Sequence, residues 1–304
     1  MRDQVTLLEV SPRDGLQNEA GIMTTADKLA LIADAIKAGA KRIEVSSFVH
    51  PKKVPQMADA EAVCAGLPDA SGVRYTGLVL NRRGLERALA TGRLHEVGMV
   101  VPASDSFGMR NQGMDVEAAL AAAEDVIKAA REGGIGVQVT LAVAFGCPFE
   151  GEVPAERVLA MATRLAAAAP DEICLADTIG VAVPSQVLHL FPSIRAAIGS
   201  AIPLRAHFHN TRNTGFANAL AALQVDVAVL DASIGGIGGC PFAPKATGNI
   251  ASEDLIYMLD RMGVHTGVSL EGLIEASERL GQRLGRPVPG LLAKAGGFPT
   301  PAAA

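Results

Sequence analysis

The chain repeats one pattern eight times. A short run rich in β-branched residues, typical of a strand, is followed each time by an Ala- and Leu-rich segment with helical spacing. The strand-like runs are VTLLEV, RIEVSS, VRYTGLVL, EVGMVVP, GVQVTLAVAF, EICLAD, PLRAHFH and VAVLDAS. Strands this apolar need cover on both faces, and eight successive strand–helix units are what a closed parallel barrel requires. The pattern therefore predicts an α/β fold, a (β/α)8 or TIM barrel.

The repeat leaves no room for a linker, so we expect one domain over residues 1–304. The barrel is predicted at about 5–263, and a C-terminal helix and tail at 264–304. The helix corresponds to LEGLIEASERLGQRLG, and the Pro- and Gly-rich tail after it is expected to be frayed. A doubly wound open sheet is the alternative, but no G-x-G-x-x-G motif follows the first strand.

The charge balance limits the class of partner. A net charge of -5 and an isoelectric point near 5.7 argue against a dedicated nucleic-acid or membrane binder, because either would need a basic face. We expect a small-molecule partner, with no nucleic acid and no membrane. No uninterrupted apolar run of about 18 residues occurs and the N-terminus enters a strand pattern at once, so neither a membrane span nor a signal peptide is expected. Four scattered cysteines without a C-x-x-C pair favour reduced thiols in the cytoplasm.

Two histidines stand one residue apart in the seventh strand-like run. In a strand, side chains at i and i+2 point to the same face, so His207 and His209 would converge as metal ligands do. The alternative is a strand end with two independently solvated imidazoles.

Polar residues cluster at the predicted strand ends, where barrels of this kind carry their chemistry. They are Arg13, Asp14, Gln17, Glu44, Asp177, His207, His209 and Asp231. Any one carboxylate could simply cap the next helix, but five units direct such groups at one rim. Two imidazoles from one strand and a carboxylate from another predict a divalent-cation site. Mn2+, Mg2+ and catalytic Zn2+ all fit this ligand set.

A glycine-rich loop follows the eighth strand. The segment GGIGGCPFAPKATGN has five glycines in fifteen residues around Cys240, which predicts a mobile loop or a close backbone approach to a ligand. Cys240 is a candidate acid, base or nucleophile, and an inert buried thiol is the alternative. Cys147 has no partner in the pattern and is interpreted as a buried thiol.

Five motifs together resemble the 3-hydroxy-3-methylglutaryl-CoA lyases of the barrel metallolyase group. They are SPRDGLQNE, IEVSSFVHP, ADTIG, the H-x-H strand and GGCPFAPKATGNIASEDL, in the right order over nearly the whole chain. The resemblance implies metal-assisted retro-Claisen cleavage of 3-hydroxy-3-methylglutaryl-CoA to acetyl-CoA and acetoacetate. It implies Mg2+ or Mn2+ as cofactor, an acyl-CoA thioester as substrate and a homodimer as the assembly.

The resemblance also implies roles for individual residues. Metal ligands would be Asp14, His207, His209 and Asn249, with Glu44 in the shell around them. Catalytic residues would be Arg13, which stabilises the thioester enolate, Asp177, which handles a proton near the substrate hydroxyl, and Cys240, the loop acid or base.

The chain departs from the family pattern after the second histidine. The family run resembles H-D-T followed by a residue such as tyrosine, whereas here Asn210, Thr211 and Arg212 follow His209, so a carboxylate is lost and a guanidinium gained. A guanidinium gained near the metal is expected to alter which acyl chain is accepted. The predicted substrate-binding residues are Gln17, Arg83 and Arg212. Arg82 and Arg83 could meet CoA phosphates, although exposed arginines at a helix start are more often simply solvated.

Several alternatives remain open at this stage. Citramalyl-CoA or a longer branched 3-hydroxyacyl-CoA are alternative substrates. A Claisen-condensing synthase is disfavoured because RDGLQ stands where the synthases have RDGEQ. A non-catalytic metal-binding scaffold would not need Arg13, Asp177 and Cys240 together. A Schiff-base aldolase would need a lysine, and none occurs in the eight strand-like runs.

Overall fold

The computed structural model describes residues 2–239 and 248–299. Its strands are β1 (Thr6–Glu9), β2 (Arg42–Ser47), β3 (Arg74–Val79), β4 (Glu96–Pro102), β5 (Gly136–Ala142), β6 (Glu172–Asp177), β7 (Leu204–Phe208) and β8 (Val229–Ala232). Its α-helices are α1 (Thr25–Lys37), α2 (Ala60–Ala65), α3 (Arg82–Ala90), α4 (Asp105–Asn111), α5 (Val116–Glu132), α6 (Ala155–Ala167), α7 (Pro184–Ile198), α8 (Gly215–Gln224), α9 (Ser252–Arg261), α10 (Leu270–Leu284) and α11 (Leu292–Ala295).

The eight strands form a closed parallel barrel in chain order. Each strand pairs with the next, and β8 returns to pair with β1 through Leu7 opposite Leu230. The predicted barrel is confirmed. Closure places all eight strand ends, and the loops that follow them, around one rim.

Helices in the described residues differ from the pattern in two places. The short helix α4 precedes α5, where one helix was predicted, and α11 follows α10. Side-chain caps set several helix starts, because each satisfies a backbone N–H that has no partner within the helix. Asn81 accepts from the Gly84 amide at α3, and Ser269 accepts from the Gly272 amide at α10.

Polar side chains occupy the amino-terminal part of the barrel interior. Arg42 of β2 donates to Glu172 of β6 at 2.9 Å, and these strands lie on opposite sides of the barrel, so the contact crosses the interior. Arg205 also pairs with Glu172 at 2.8 Å, while Gln138 donates to Glu96. Branched aliphatic residues usually fill such an interior. This barrel instead has a buried layer of paired charges below the rim.

The segment after α10 packs against the barrel over its first part. Val288 is buried, the Gly290 amide donates to the Gly235 carbonyl at 2.8 Å, and the Leu291 amide donates to Asp254. The prediction of a frayed tail is therefore wrong for residues 288–291. One reason is visible at Gly235, whose φ of 73° brings its backbone against the side chain of Val288.

Glu253 at the start of α9 joins this segment to the loop after β8. Its carboxylate accepts from the Gly235 amide at 3.0 Å and from the Ser277 hydroxyl at 2.7 Å. Burial is the largest influence on this group and raises the pKa of Glu253 to about 7 from 4.5, although these hydrogen bonds oppose the rise. The folded protein therefore holds a proton that the unfolded chain releases at lower pH.

We expect Glu253→Gln to remove one pH-dependent contribution to stability. A raised carboxyl pKa stabilises the fold fully below pH 4.5, and that contribution is lost as pH rises to about 7. This difference corresponds to about 3 kcal/mol. Urea unfolding of both proteins from pH 4.5 to 8 would measure it. As pH rises, the free energy of unfolding of the wild type should fall relative to that of the variant by this amount. A constant offset between the two curves would contradict the shift.

Candidate metal centre

A cavity of about 1180 Å³ opens at the carboxyl ends of the strands. Seven of the predicted site residues line it: Arg13, Asp14, Gln17, Glu44, Arg83, His207 and His209. Its volume suits a long substrate, since pockets for drug-sized ligands measure roughly 300–1,000 Å³. The cavity therefore lies where the chemistry of a barrel enzyme is expected.

Asp14, His207 and His209 meet at the base of this cavity. Each offers one possible ligand atom, and these atoms lie within 4.8 Å of one another. The two imidazole rings share one side of β7, with ring centroids 5.1 Å apart, and the Nε2 atom of His207 lies 4.0 Å from Asp14 Oδ2. The convergence predicted from the i, i+2 spacing is therefore present in the structure.

A π-helical turn at Ser11–Gly15 brings Asp14 to this point. The Val10 carbonyl accepts from the Arg13, Asp14 and Gly15 amides, so the chain turns widely at the end of β1. Gly15 allows the turn to pack closely, because a Cβ there would lie 2.8 Å from Ile237 Cγ1. The RDG sequence thus combines two cavity-lining side chains with a glycine that the packing requires.

The electrostatics of the three residues favour cation binding. Burial would raise the pKa of Asp14, but the Arg13 guanidinium, with His207 and the hydrogen bond from Asn249, lowers it to about 2. Burial lowers the pKa of His209 to about 3, and the neighbouring His207 adds to the effect. Burial opposes protonation of His207 as well, but its bond to Asp231 raises the pKa of the imidazole. Asp14 is an anion and His209 a neutral imidazole, the states in which both bind metals.

An unpartnered atom also fits a bound cation. The Nδ1 atom of His209 is buried and has no hydrogen-bond partner among the described residues. A buried polar atom without a partner costs free energy, and a metal or its ligands would remove that cost. The donor set of one carboxylate and two imidazoles thus fits a divalent cation, though it does not select one metal.

Asn249 reaches the site through backbone pairing. The chain at His209 and Asn249 forms an isolated antiparallel bridge, and the Asn210 amide donates to the Gly248 carbonyl at 2.9 Å. Asn249 Nδ2 donates to Asp14 Oδ2 at 2.8 Å and to the Ile237 carbonyl at 3.1 Å. Asn249 therefore contacts one predicted ligand, and its own ligation through Oδ1 stays a prediction.

Arg13 and Glu44 form a pair beside the metal site. Arg13 Nη1 lies 2.7 Å from Asp14 Oδ1, and its Nη2 lies 2.6 Å from Glu44 Oε2. Burial raises the pKa of Glu44, although the Arg13 charge opposes the rise. The guanidinium is held between two carboxylates at the cavity base, where it can meet a developing negative charge.

The other predicted substrate-binding and catalytic residues divide into three groups. Gln17 and Arg83 line the cavity, and Gln17 Oε1 is buried without a hydrogen-bond partner among the described residues. Asp177 and Arg212 do not line the cavity as described: the Asp177 carboxylate accepts from the Val181 and Ala182 amides. Cys240 lies outside the described residues.

Arg212 instead joins two loops at the rim. Its Nη1 donates to the carbonyls of Ile179 at 3.0 Å and Gly180 at 2.9 Å, in the turn that follows β6. Arg212 therefore binds the same loop whose Val181 and Ala182 amides donate to the Asp177 carboxylate at the end of β6. A direct contact between Arg212 and substrate stays a prediction.

Sequence reasoning missed the residue that supports His207 from below. Arg205 stands two residues before His207 and so faces the same side of β7. Arg205 and His207 both contact Asp231 Oδ2. The i−2 spacing was the available signal, because it extends the H-x-H alternation by one step to R-x-H-x-H.

The chain is similar in sequence and in fold to known proteins. Residues 4–280 match the model of the family described as HMGL-like. The chain is 44% identical over 304 residues to the (R)-citramalyl-CoA lyase of Chloroflexus aurantiacus, covering 97% of this chain and 95% of that protein. It is 40% identical over 286 residues to the hydroxymethylglutaryl-CoA lyase of Bacillus subtilis, with 94% and 95% covered. A structure of an HMG-CoA lyase from Acinetobacter baumannii with coenzyme A and 3-methylmalate matches with a TM-score of 0.93 at 38% identity, covering 98% of each chain.

Proposed function

The chain belongs to the HMGL-like family and is a carbon–carbon lyase of that family, and from this premise we propose that it cleaves 3-hydroxy-3-methylglutaryl-CoA to acetyl-CoA and acetoacetate with the help of a divalent metal. The observation that carries the proposal is the convergence of Asp14, His207 and His209 at the base of a cavity large enough for an acyl-CoA. The non-catalytic scaffold considered from the sequence is set aside by this family membership.

The metal would be held by Asp14, His207, His209 and Asn249, and we expect Mg2+ or Mn2+. When bound there, a divalent cation supplies Lewis acidity to the oxygens of the substrate. The bond between C2 and C3 breaks as the hydroxyl loses its proton and becomes the ketone of acetoacetate. The electron pair of that bond passes to the acetyl-CoA fragment, whose carbonyl becomes an enolate.

Arg13 is positioned to stabilise this enolate. Its guanidinium lies between Asp14 and Glu44, so its orientation is set before substrate binds. Donors that are already oriented stabilise a developing charge without the cost of reorganisation. The resemblance assigns removal of the hydroxyl proton to Asp177. In the structure the Asp177 carboxylate accepts from the Val181 and Ala182 amides, so it would have to turn from them to reach the substrate.

The second product-forming step is protonation of the enolate carbon, which we assign to Cys240. Gly239, the residue before it, lines the cavity, and its carbonyl accepts from Asn18 Nδ2 at 2.6 Å. The described chain that precedes Cys240 thus borders the cavity. A thiol with an ordinary pKa of about 8.5 can deliver this proton, whereas an alcohol is a far weaker acid.

Cys240→Ser is therefore expected to bind metal as the wild type does but to turn over slowly. Alkylation of the free enzyme gives an independent measurement, since a thiol over the cavity should react quickly and be protected by a product analogue. Cys64 is a control in the same protein: it is buried, and burial raises the pKa of its thiol to about 12. Slow labelling of Cys240 that ignores the analogue would leave the acid unidentified.

A second candidate substrate is (R)-citramalyl-CoA, because the relative with that activity is 44% identical to this chain. A panel of thioesters decides between the substrates: HMG-CoA, citramalyl-CoA and a longer branched 3-hydroxyglutaryl-CoA, assayed for acetyl-CoA release. Each is run on chelator-treated enzyme with and without added Mg2+ or Mn2+. We expect release only with metal and the highest kcat/KM for HMG-CoA. Equal release in chelator-treated enzyme would refute the metal-dependent mechanism.

The remaining expectations concern partners and location. Among residues 2–239 and 248–299, no helix is both long and apolar enough to cross a membrane. The homodimer and the cytoplasmic location stay predictions, which gel filtration and cell fractionation would test.

A further inference from the structure

The carboxylate of Asp231 contacts His207 from inside the barrel. Asp231 of β8 lies directly opposite His207 of β7, and the His207 Nδ1 to Asp231 Oδ2 distance is 3.1 Å. Asp231 is 3% exposed, so little of its side chain meets solvent although it borders the cavity. The other ring nitrogen, Nε2, is the one that faces Asp14.

The same carboxylate oxygen also binds an arginine. Arg205 Nη1 donates to Asp231 Oδ2 at 2.5 Å, and Arg205 Nη2 donates to Thr140 Oγ1 at 3.0 Å. Glu172 lies 2.8 Å from Arg205 Nε on the far side. The guanidinium is therefore held by three strands, and it can hold the Asp231 carboxylate in one orientation.

Stability alone is a weak reason for such an arrangement. Replacing a buried ion pair by well-packed apolar residues is often neutral or stabilising, because the desolvation of both charges is costly. A buried pair that contacts a metal ligand has a further use: it can set the orientation and the protonated nitrogen of an imidazole. The Arg205–Asp231 pair is buried, and Asp231 contacts His207, so this arrangement fits that use.

We propose that Asp231, held by Arg205, is a positioning residue that keeps the His207 proton on Nδ1 and so presents Nε2 to the metal beside Asp14. The proposal rests on the metal site of the proposed function. Arg205 contributes by fixing the acceptor oxygen, and neither residue needs to contact the metal.

The test separates two properties of Asp231: its hydrogen-bond acceptor oxygen and its negative charge. Asp231→Asn removes the charge but can keep an oxygen at the Oδ2 position, where it still accepts from both neighbours. Asp231→Leu has a similar size and removes the acceptor. We expect the Leu variant to bind Mn2+ about 10- to 100-fold more weakly, as is typical when an outer partner of a ligand is lost. The Asn variant should lose only a small part of the affinity.

The matched control is Glu96→Gln, which removes one carboxylate from the same interior layer without any contact to Asp231 or His207. Glu96 binds Arg42 and Arg74 instead. Its Mn2+ affinity should equal that of the wild type. Arg205→Lys keeps the charge but loses the fork that joins Asp231 to Thr140, and its affinity should fall.

A direct measurement of the tautomer needs neither substrate nor metal. In the metal-free wild type at alkaline pH, nitrogen-15 NMR of labelled histidine should show the His207 proton on Nδ1, and His207→Gln assigns the signal. Asp231→Asn should retain this tautomer, and Asp231→Leu should lose it. A protein without lyase activity on the thioester panel would still report this result, so the two proposals fail separately.

Three outcomes would overturn the proposal. The first is a wild-type His207 proton on Nε2, which remains measurable even if the Leu variant does not fold. The second is unchanged Mn2+ affinity in a folded Asp231→Leu protein. The third is an equal loss in the Asn and Leu variants, which would assign the effect to the charge or to direct ligation by Asp231.

Discussion

Arg13→Lys is expected to lose on the order of a hundredfold or more in turnover while keeping its fold, since donors to a transition-state oxyanion contribute about 3 kcal/mol. Arg13 contacts Asp14 and Glu44 through different nitrogens, at 2.7 and 2.6 Å. A lysine keeps the charge but offers one nitrogen, so it cannot hold both carboxylates and also follow an enolate oxygen. The measurement is kcat at saturating metal and substrate.

Arg82→Lys provides the matched control for this substitution. Arg82 pairs with Asp125 at 2.6 Å, and its side chain is 43% exposed and does not line the cavity. Its kcat should equal that of the wild type. Mn2+ binding by Arg13→Lys separates a catalytic from a structural effect, because all four proposed metal ligands remain in this variant. Near-normal kcat in Arg13→Lys would remove Arg13 from the mechanism.

His209→Ala is expected to abolish measurable turnover and to weaken Mn2+ binding by at least about a hundredfold. Loss of an outer partner typically costs 10- to 100-fold in metal affinity, and the loss of a ligand should cost no less. The metal-free variant should still fold, since His209 lines the cavity and its Nδ1 atom has no hydrogen-bond partner among the described residues. Calorimetric titration with Mn2+ and urea unfolding of the metal-free proteins measure the two effects separately.

His265→Ala is the control for His209→Ala, because His265 is exposed and lies at the opposite end of the barrel strands, paired with Gln4 before β1. Its Mn2+ affinity and turnover should be unchanged. Wild-type affinity in His209→Ala would exclude this imidazole from the metal site. Turnover that survives a chelator in the wild type would exclude the metal itself.

The structure also shows which expectations depended on contacts between distant segments. The frayed tail was predicted from its Pro and Gly content, yet Val288 packs against Gly235, more than fifty residues away in the chain. Asp177 and Arg212 were placed near the substrate by position, whereas their side chains are engaged by backbone groups of the loop after β6. Composition and motif position do not contain these contacts, since they depend on how loops pack at the rim.

The sequence by itself determined the barrel and the convergence of His207 and His209. Eight apolar strand-like runs separated by helical segments allow few other ways to bury both faces of a parallel sheet. The i, i+2 spacing of His207 and His209 follows from the two-residue period of a strand, and it needs no knowledge of neighbours. Both signals are local, so they can be seen in one chain.

Only the tertiary structure decided which side chains contact those histidines from inside the barrel. Asp231 and Arg205 were visible as polar residues in strand-like runs, but their joint contact with His207 depends on which strands are adjacent and in what register. The charged layer that joins Arg42 of β2 to Glu172 of β6 exists because closure of the barrel brings opposite strands within side-chain reach. The physical reason is that a periodic pattern specifies which face a side chain occupies, whereas its partners across that face are set by closure and register.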